Sequence, residues 1–208
     1  MRREVAAATI AAAIGPEPVV VCSLGSTSRA WAAIDAPNAV HFGSDPMGLA
    51  GSVALGLALA VRPRRVVWLA GDGDLTMNLE VLLAISGAPQ CELAVVVFHN
   101  GRYETGGGHP LAGAGTDLGV LARGAGLRVI DTPAEPDELT AACGRFWGEP
   151  GVAFCVLDIE VEAAPYGGPG EHSGAEARAM FQRRLRETAT PTTDEAPTAG
   201  PSTSGGNP

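Results

Sequence analysis

The sequence predicts a single α/β domain, a doubly wound, mostly parallel sheet flanked by helices, followed by a disordered C-terminal tail. Three observations carry this. Short runs rich in β-branched residues recur along the chain, as at Val19-Val20-Val21 and Val95-Val96-Val97. They are continuously apolar rather than alternating, as strands buried on both faces are. Helical patterns separate them, the arrangement expected of parallel strands joined by crossovers.

The elements follow in order. Residues 1–15 open on two arginines and run on in alanine. Glu4 interrupts the charged start and leucine is scarce, so this reads as a short surface helix rather than an export signal. Residues 18–24 (PVVVCSL) form the first strand, with a helix over 27–35 and a further short strand over 39–42. A helix is expected over 49–61. The strand over 65–70 (RVVWLA) runs into Gly71-Asp72-Gly73-Asp74. The next helix, over 76–86, should start near Leu75 to Met77. The strand over 92–98 delivers Asn100-Gly101-Arg102. Helices over 117–125 and 135–145 alternate with strands over 127–131 and 152–159. A charged helix over 175–186 uses Met180, Phe181 and Leu185 as its apolar positions. From Glu187 onward there is no aromatic or large aliphatic residue. That segment cannot bury enough apolar area to offset its ordering entropy. The domain therefore takes residues 1–186 and the tail 187–208.

Composition excludes several chemistries. The 208 residues carry 14 basic and 23 acidic side chains, a net charge of −9, and every basic residue is arginine. Without lysine there is no Schiff-base enzyme and no Walker-type phosphate loop. The negative balance argues against a nucleic-acid partner. The longest uncharged apolar stretch, Met47 to Val61, is too short to span a bilayer. Cys22, Cys91, Cys143 and Cys155 form no C-x-x-C pair and read as core thiols in a reducing compartment. The expectation is a soluble cytoplasmic protein with no nucleic-acid and no membrane partner.

In a doubly wound sheet, ligands sit beyond the carboxyl ends of the strands. Three loops lie there: Gly25-Ser26-Thr27, Gly71 to Asp74, and Asn100 to Arg102. Glycines at 71 and 73 let backbone N–H groups approach an anion at a helix start. Asp72 and Asp74 would repel a phosphate unless a hard cation lay between, which is how Mg²⁺ commonly binds. Asn100 adds a neutral hard oxygen, and Gly101 lets the chain turn so that a carbonyl such as that of Arg102 can join. Either turn alone is also an ordinary turn. Each follows a buried-type strand, which makes the pair specific. Arg29 is equally readable as a contact for a substrate carboxylate or as a surface arginine. The segment Gly113 to Gly119 (GAGTDLG) lacks the preceding strand and spacing of a dinucleotide fingerprint.

The GDG turn followed one helix and strand later by Asn-Gly resembles the thiamine-diphosphate signature. The runs Phe42 to Ala60, Arg65 to Met77 and His99 to Pro110 narrow this. They resemble the pyrophosphate-binding domain of sulfopyruvate and phosphonopyruvate decarboxylases, in the 2-oxo-acid decarboxylase and acetolactate synthase group. The likeness covers roughly residues 3 to 160 and is strongest from 42 to 110. It implies the thiamine-diphosphate-binding fold, with thiamine diphosphate and Mg²⁺ as cofactors. It implies Asp72, Asn100 and the Arg102 carbonyl as metal ligands. Gly71, Gly73 and Asp74 would hold the diphosphate. Met47 would be the apolar wedge that bends the cofactor, and the Asp45 carbonyl would meet its pyrimidine amine. The purpose of the bend is proximity. Glu104 matches the family's loop glutamate. The chain departs from the pattern at Asp45-Pro46, where small residues are usual, and at His109, where an amide is common. A histidine there could relay protons.

The family's chemistry also needs a glutamate from a second α/β domain, which 208 residues do not accommodate. The resemblance therefore implies one subunit of a split enzyme. Its partner would be a separately encoded pyrimidine-domain (alpha) subunit in an α₂β₂ or similar assembly, acting on a small 2-oxo acid. Two alternatives remain open here. One is carboligation, in which the decarboxylated fragment passes to an aldehyde or second oxo acid. The other is a non-catalytic regulatory subunit that retains the fold.

Overall fold

The computed structural model describes residues 1–43, 46–113, 115–162 and 174–188. Its centre is a six-stranded sheet in the order β2-β1-β3-β4-β8-β7. The strands are β1 (Val19–Cys22), β2 (Val40–Phe42), β3 (Val66–Gly71), β4 (Leu93–His99), β7 (Val129–Ile130) and β8 (Val152–Asp158). Every neighbouring pair is parallel. The chain leaves β1 toward β2 and then returns to β1's other side with β3. A topological switch point thus lies between β1 and β3, where clefts form beyond the strand ends.

Alternation along each strand divides the core in two. Val67 and Leu69 of β3 face one side with Ala94 and Val96 of β4. They pack against α1 (Arg3–Ile14), α2 (Ser26–Ala32) and α7 (Pro136–Gly148) through Ile10, Trp31 and Leu139. Val66, Trp68 and Ala70 face the other side. Their partners include Ala54 of α3 (Ala50–Ala60), Ile85 of α5 (Val81–Ser86) and Ala122 of α6 (Leu118–Gly124). All four cysteines are free and buried, as their apolar setting predicts.

Three sequence expectations need correction. The first helix is not a surface appendage. Ala6, Ala7, Ile10 and Ile14 of α1 are buried in the core, and Arg3 is 4% exposed. The helix expected over 76–86 is two pieces. The first, α4 (Asp72–Thr76), begins directly at the end of β3, and α5 follows after a break at 77–80. Asn78 sits in that break, and its side chain donates to the Gly48 carbonyl at 3.0 Å instead of facing solvent. Asparagine's competing side-chain hydrogen bonds make it a poor helix-interior residue. Finally, the loop after Asn100 holds an antiparallel ribbon, β5 (Arg102–Tyr103) with β6 (His109–Pro110). Two-residue strands carry no periodicity for a sequence to reveal.

Beyond β8, α8 (Gly174–Glu187) reaches one residue into the segment read as tail. Residues 189–208 lie outside the described residues. Among the described residues, no helix is long and apolar enough to cross a membrane.

Candidate active site

The carboxyl ends of β1, β3 and β4 enclose an open cleft of about 510 Å³. Leu24, Ser26 and Thr27 line it from the β1 loop, Gly71 to Asp74 from the β3 turn, and Asn100 to Thr105 in part from the β4 loop. Met47 reaches it from the turn before α3, and Arg3 from α1. Of the residues singled out in the sequence, the structure brings together Met47, Gly71, Asp72, Gly73, Asp74, Asn100, Arg102 and Glu104. His109 is not brought there. It is exposed on β6, paired with Tyr103 across the ribbon. Asp45 lies outside the described residues. Arg29 is not among the lining residues, and its guanidinium donates to Ser26 Oγ at 3.2 Å within its own helix.

Asp72 is 3% exposed and is the hub of the site. Its Oδ2 accepts from the Asn100 N–H at 3.0 Å and the Gly101 N–H at 2.7 Å. His99 Nδ1 lies 2.9 Å from the same oxygen. Among the described residues, Asp72 Oδ1 accepts one hydrogen bond, from the Gly73 N–H at 2.7 Å. One oxygen therefore ties two strand ends together while the other keeps coordination capacity. The hydrogen bond to Asp72 pushes the His99 pKa up, against partial burial that lowers it. The sequence reading passed over His99 as a functional side chain. The register offered a signal, because Gly71 pairs with Phe98 and so sets Asp72 beside His99.

Asn100 is fixed from both ends. Its Nδ2 donates to Glu104 Oε1 at 2.7 Å, and its Oδ1 accepts the Arg102 N–H at 2.9 Å. An amide oxygen has two lone pairs, so one remains for a cation. Glu104 Oε1 also accepts from the Arg3 guanidinium at 2.7 Å, and Arg3 bridges on to Glu162 at 3.2 Å. Arg3 was missed in the sequence because 101 positions separate it from Glu104.

Gly73 has a steric requirement. A Cβ there would lie 2.8 Å from Tyr103 Cδ1, so only glycine lets the ribbon close over the turn. The Asp74 side chain is held by the protein at both oxygens: Oδ2 accepts from the Ser23 hydroxyl and Oδ1 from the Gly48 N–H.

These residues fit a divalent cation with a diphosphate. Among the described residues, no three or more His, Cys, Asp or Glu side chains gather into a metal cluster. The cleft instead offers the Asp72 carboxylate beside neutral oxygens, a hard and incomplete set of the kind that Mg²⁺ completes with phosphate oxygens.

Residues 22–157 match the family of thiamine pyrophosphate enzymes, C-terminal TPP binding domain, and the chain belongs to that family. Among curated relatives, it is 40% identical over 118 residues to the sulfopyruvate decarboxylase subunit beta of Methanothermobacter thermautotrophicus. That match covers 55% of this chain and 61% of the relative. It is 31% identical over 131 residues to the phosphonopyruvate decarboxylase of Streptomyces hygroscopicus, covering 63% of this chain and 32% of that one. The chain thus spans less than two thirds of the length of these relatives. The same fold occurs in benzoylformate decarboxylase from Polynucleobacter necessarius, with a TM-score of 0.71 and 22% identity over 79% of this chain and 34% of the other.

Proposed function

We propose that this chain is the pyrophosphate-domain subunit of a split thiamine-diphosphate-dependent enzyme. It decarboxylates a small 2-oxo acid of the sulfopyruvate or phosphonopyruvate kind, with Mg²⁺ as second cofactor. The observation that carries this reading is the meeting of Asp72, Asn100 and Met47 on one cleft beyond β1, β3 and β4. The names of the relatives support it, since several are beta subunits of sulfopyruvate decarboxylases. Those names also favour a partner, taken here as a separate pyrimidine-domain (alpha) subunit in an α₂β₂ assembly. The free, buried cysteines suit a reducing cytoplasm.

Bound thiamine diphosphate would supply the nucleophilic carbon and electron sink that let a 2-oxo acid lose CO₂. The chain's own residues bind and orient it. Asp72 Oδ1, Asn100 Oδ1 and the Arg102 carbonyl would hold Mg²⁺. The backbone of Gly71, Gly73 and Asp74 would hold the diphosphate. Met47, 55% exposed in this chain, would offer an apolar surface to the cofactor; the Asp45 carbonyl, in the segment outside the described residues, would meet its pyrimidine amine. Glu104, held by Arg3 and Asn100, is the carboxylate available for proton handling at the cleft. His109, exposed on the ribbon, is assigned no step.

Co-expression with a candidate pyrimidine-domain subunit tests the proposal. The purified pair should release CO₂ from sulfopyruvate or phosphonopyruvate with added thiamine diphosphate and Mg²⁺, and neither chain should do so alone. Turnover at enzymatic rates by this chain alone would overturn the split-site reading. Product transfer to an added aldehyde in place of release would replace decarboxylation with carboligation.

A further inference from the structure

The Asp74 side chain is held tightly between two other segments of the protein. Its Oδ1 accepts the Gly48 N–H at 2.6 Å, and its Oδ2 accepts the Ser23 hydroxyl at 2.6 Å. Ser23 is fully buried, and its Oγ accepts in turn from Trp68 Nε1 at 3.2 Å. Trp68 is 1% exposed, so the carboxylate is oriented from the core outward. Gly48 is held a second time, by Asn78 Nδ2 on its carbonyl at 3.0 Å. Both backbone groups of one glycine are thus taken by side chains from the segment after β3. Gly48 sits at φ +86, and a Cβ there would come within 3.2 Å of Met77 and Asn78. The residue just before it is Met47, whose exposed side chain has no core packing to place it. Its position follows from the backbone of the turn.

We propose that Asp74 is a positioning residue that latches the Met47 turn: it captures the Gly48 amide while Ser23 and Trp68 fix the carboxylate. N–H to carboxylate bonds are about twice as strong as neutral ones. The charge beside the proposed metal site thereby fixes backbone geometry at the Met47 turn. The consequence for the reaction rests on the function proposed above, in which Met47 is the surface that shapes the cofactor. The latch itself does not depend on that function.

Two measurements on the full chain and on the reconstituted pair decide it. Amide hydrogen exchange of the segment 46–49, in the chain without cofactor, should be slow in the parent. It should quicken at least tenfold in Asp74→Ala. Asp74→Asn should restore protection, because its amide oxygen can still accept from Gly48 while its NH₂ donates to Ser23 Oγ. Asn78→Ala releases the same glycine without touching the carboxylate and should quicken exchange severalfold, so the test survives if Asp74→Ala does not fold. In the pair, Asp74→Ala should lower kcat at least tenfold with the thiamine diphosphate requirement shifted less than threefold. Asp74→Asn should recover at least a third of parent turnover. A charge acting on the cation predicts the reverse for Asn, with activity lost as in Ala, and that result would overturn the proposal. Unchanged exchange in Asp74→Ala would overturn it as well, as would faster exchange with full turnover. If the parent pair shows no cofactor-dependent turnover at all, the proposed function fails while the exchange data still decide the latch.

Discussion

The guanidinium of Arg3 and the carboxylate of Glu104 lie 2.7 Å apart, with side chains only 5% and 10% exposed. The first helix of the chain is thereby fastened to the loop that carries Asn100. Taking Arg3 away leaves Glu104 a nearly buried charge with the Asn100 amide as its remaining partner, at a cost of about 3 kcal/mol. Arg3→Met should therefore lower the unfolding free energy by that amount, shifting the denaturant midpoint by that amount divided by an unchanged m-value. A change under about 0.5 kcal/mol, the range of ordinary surface substitutions, would show that the pair is not holding the helix.

Asp72→Ala removes the acceptor of three backbone N–H groups, those of Gly73, Asn100 and Gly101, and the partner of His99 Nδ1. Isothermal titration with thiamine diphosphate should show Mg²⁺-dependent binding to the reconstituted pair weakened at least a hundredfold. Binding that keeps both its affinity and its Mg²⁺ dependence would remove Asp72 from the metal set.

Gly51 of α3 lies against the Trp68 ring. A Cβ there would sit 2.5 Å from Trp68 Cη2, and the indole cannot retreat without leaving Ser23. Gly51→Ala gains helix propensity of about 1 kcal/mol but overpacks a site where such insertions cost about 1–3 kcal/mol. Thermal unfolding should show a lower Tm, and with Trp68→Phe in the background the same substitution should be less harmful. A raised Tm in the parent background would mean that the ring moves freely.

Burial pushes the Cys143 thiol up to about 11 and the Cys155 thiol up to about 12. In the unfolded chain these thiols ionise near their ordinary value, so between about pH 9 and those raised values the unfolded state binds fewer protons. Their contribution is complete below that window and falls away as pH rises through it. Denaturant titrations should show stability declining from pH 9 to pH 11, and Cys143→Ala should flatten the slope after its own cavity cost is subtracted. At pH 8 the native chain should resist a thiol-specific disulfide reagent. Rapid labelling of all four cysteines would contradict their burial.

Much of this was legible in the residues themselves. The apolar runs around Val67 and Val96 announce strands buried on both faces, and Gly71 to Gly73 with Asn100-Gly101 announce a turn pair at their ends. These are local signals, written in consecutive positions. The remainder depends on contacts that no local pattern encodes. Asp74 reads as an anion beside a phosphate until the fold brings Ser23, 51 positions away, to its carboxylate. Arg3 reads as part of a charged start until the helix docks and carries it to Glu104. The break after Thr76 was hidden because Met77, Leu79 and Val81 continue an apolar pattern, and only the tether from Asn78 to Gly48 shows why the helix stops.

The two-sided core has a consequence for how substitutions combine. Residues such as Leu139 and Ile85 belong to clusters on opposite faces of the sheet and share no partners, so losses at the two should add within about 0.5 kcal/mol. Ser23 and Trp68 form a conduit at the sheet's ligand-facing end, where a side chain from the α3 side reaches the β1 terminus and then the Met47 turn. Repacking on the α3 side is therefore felt at the cleft through the Trp68 indole, and repacking on the α1 side through Arg3, which lines the cleft itself.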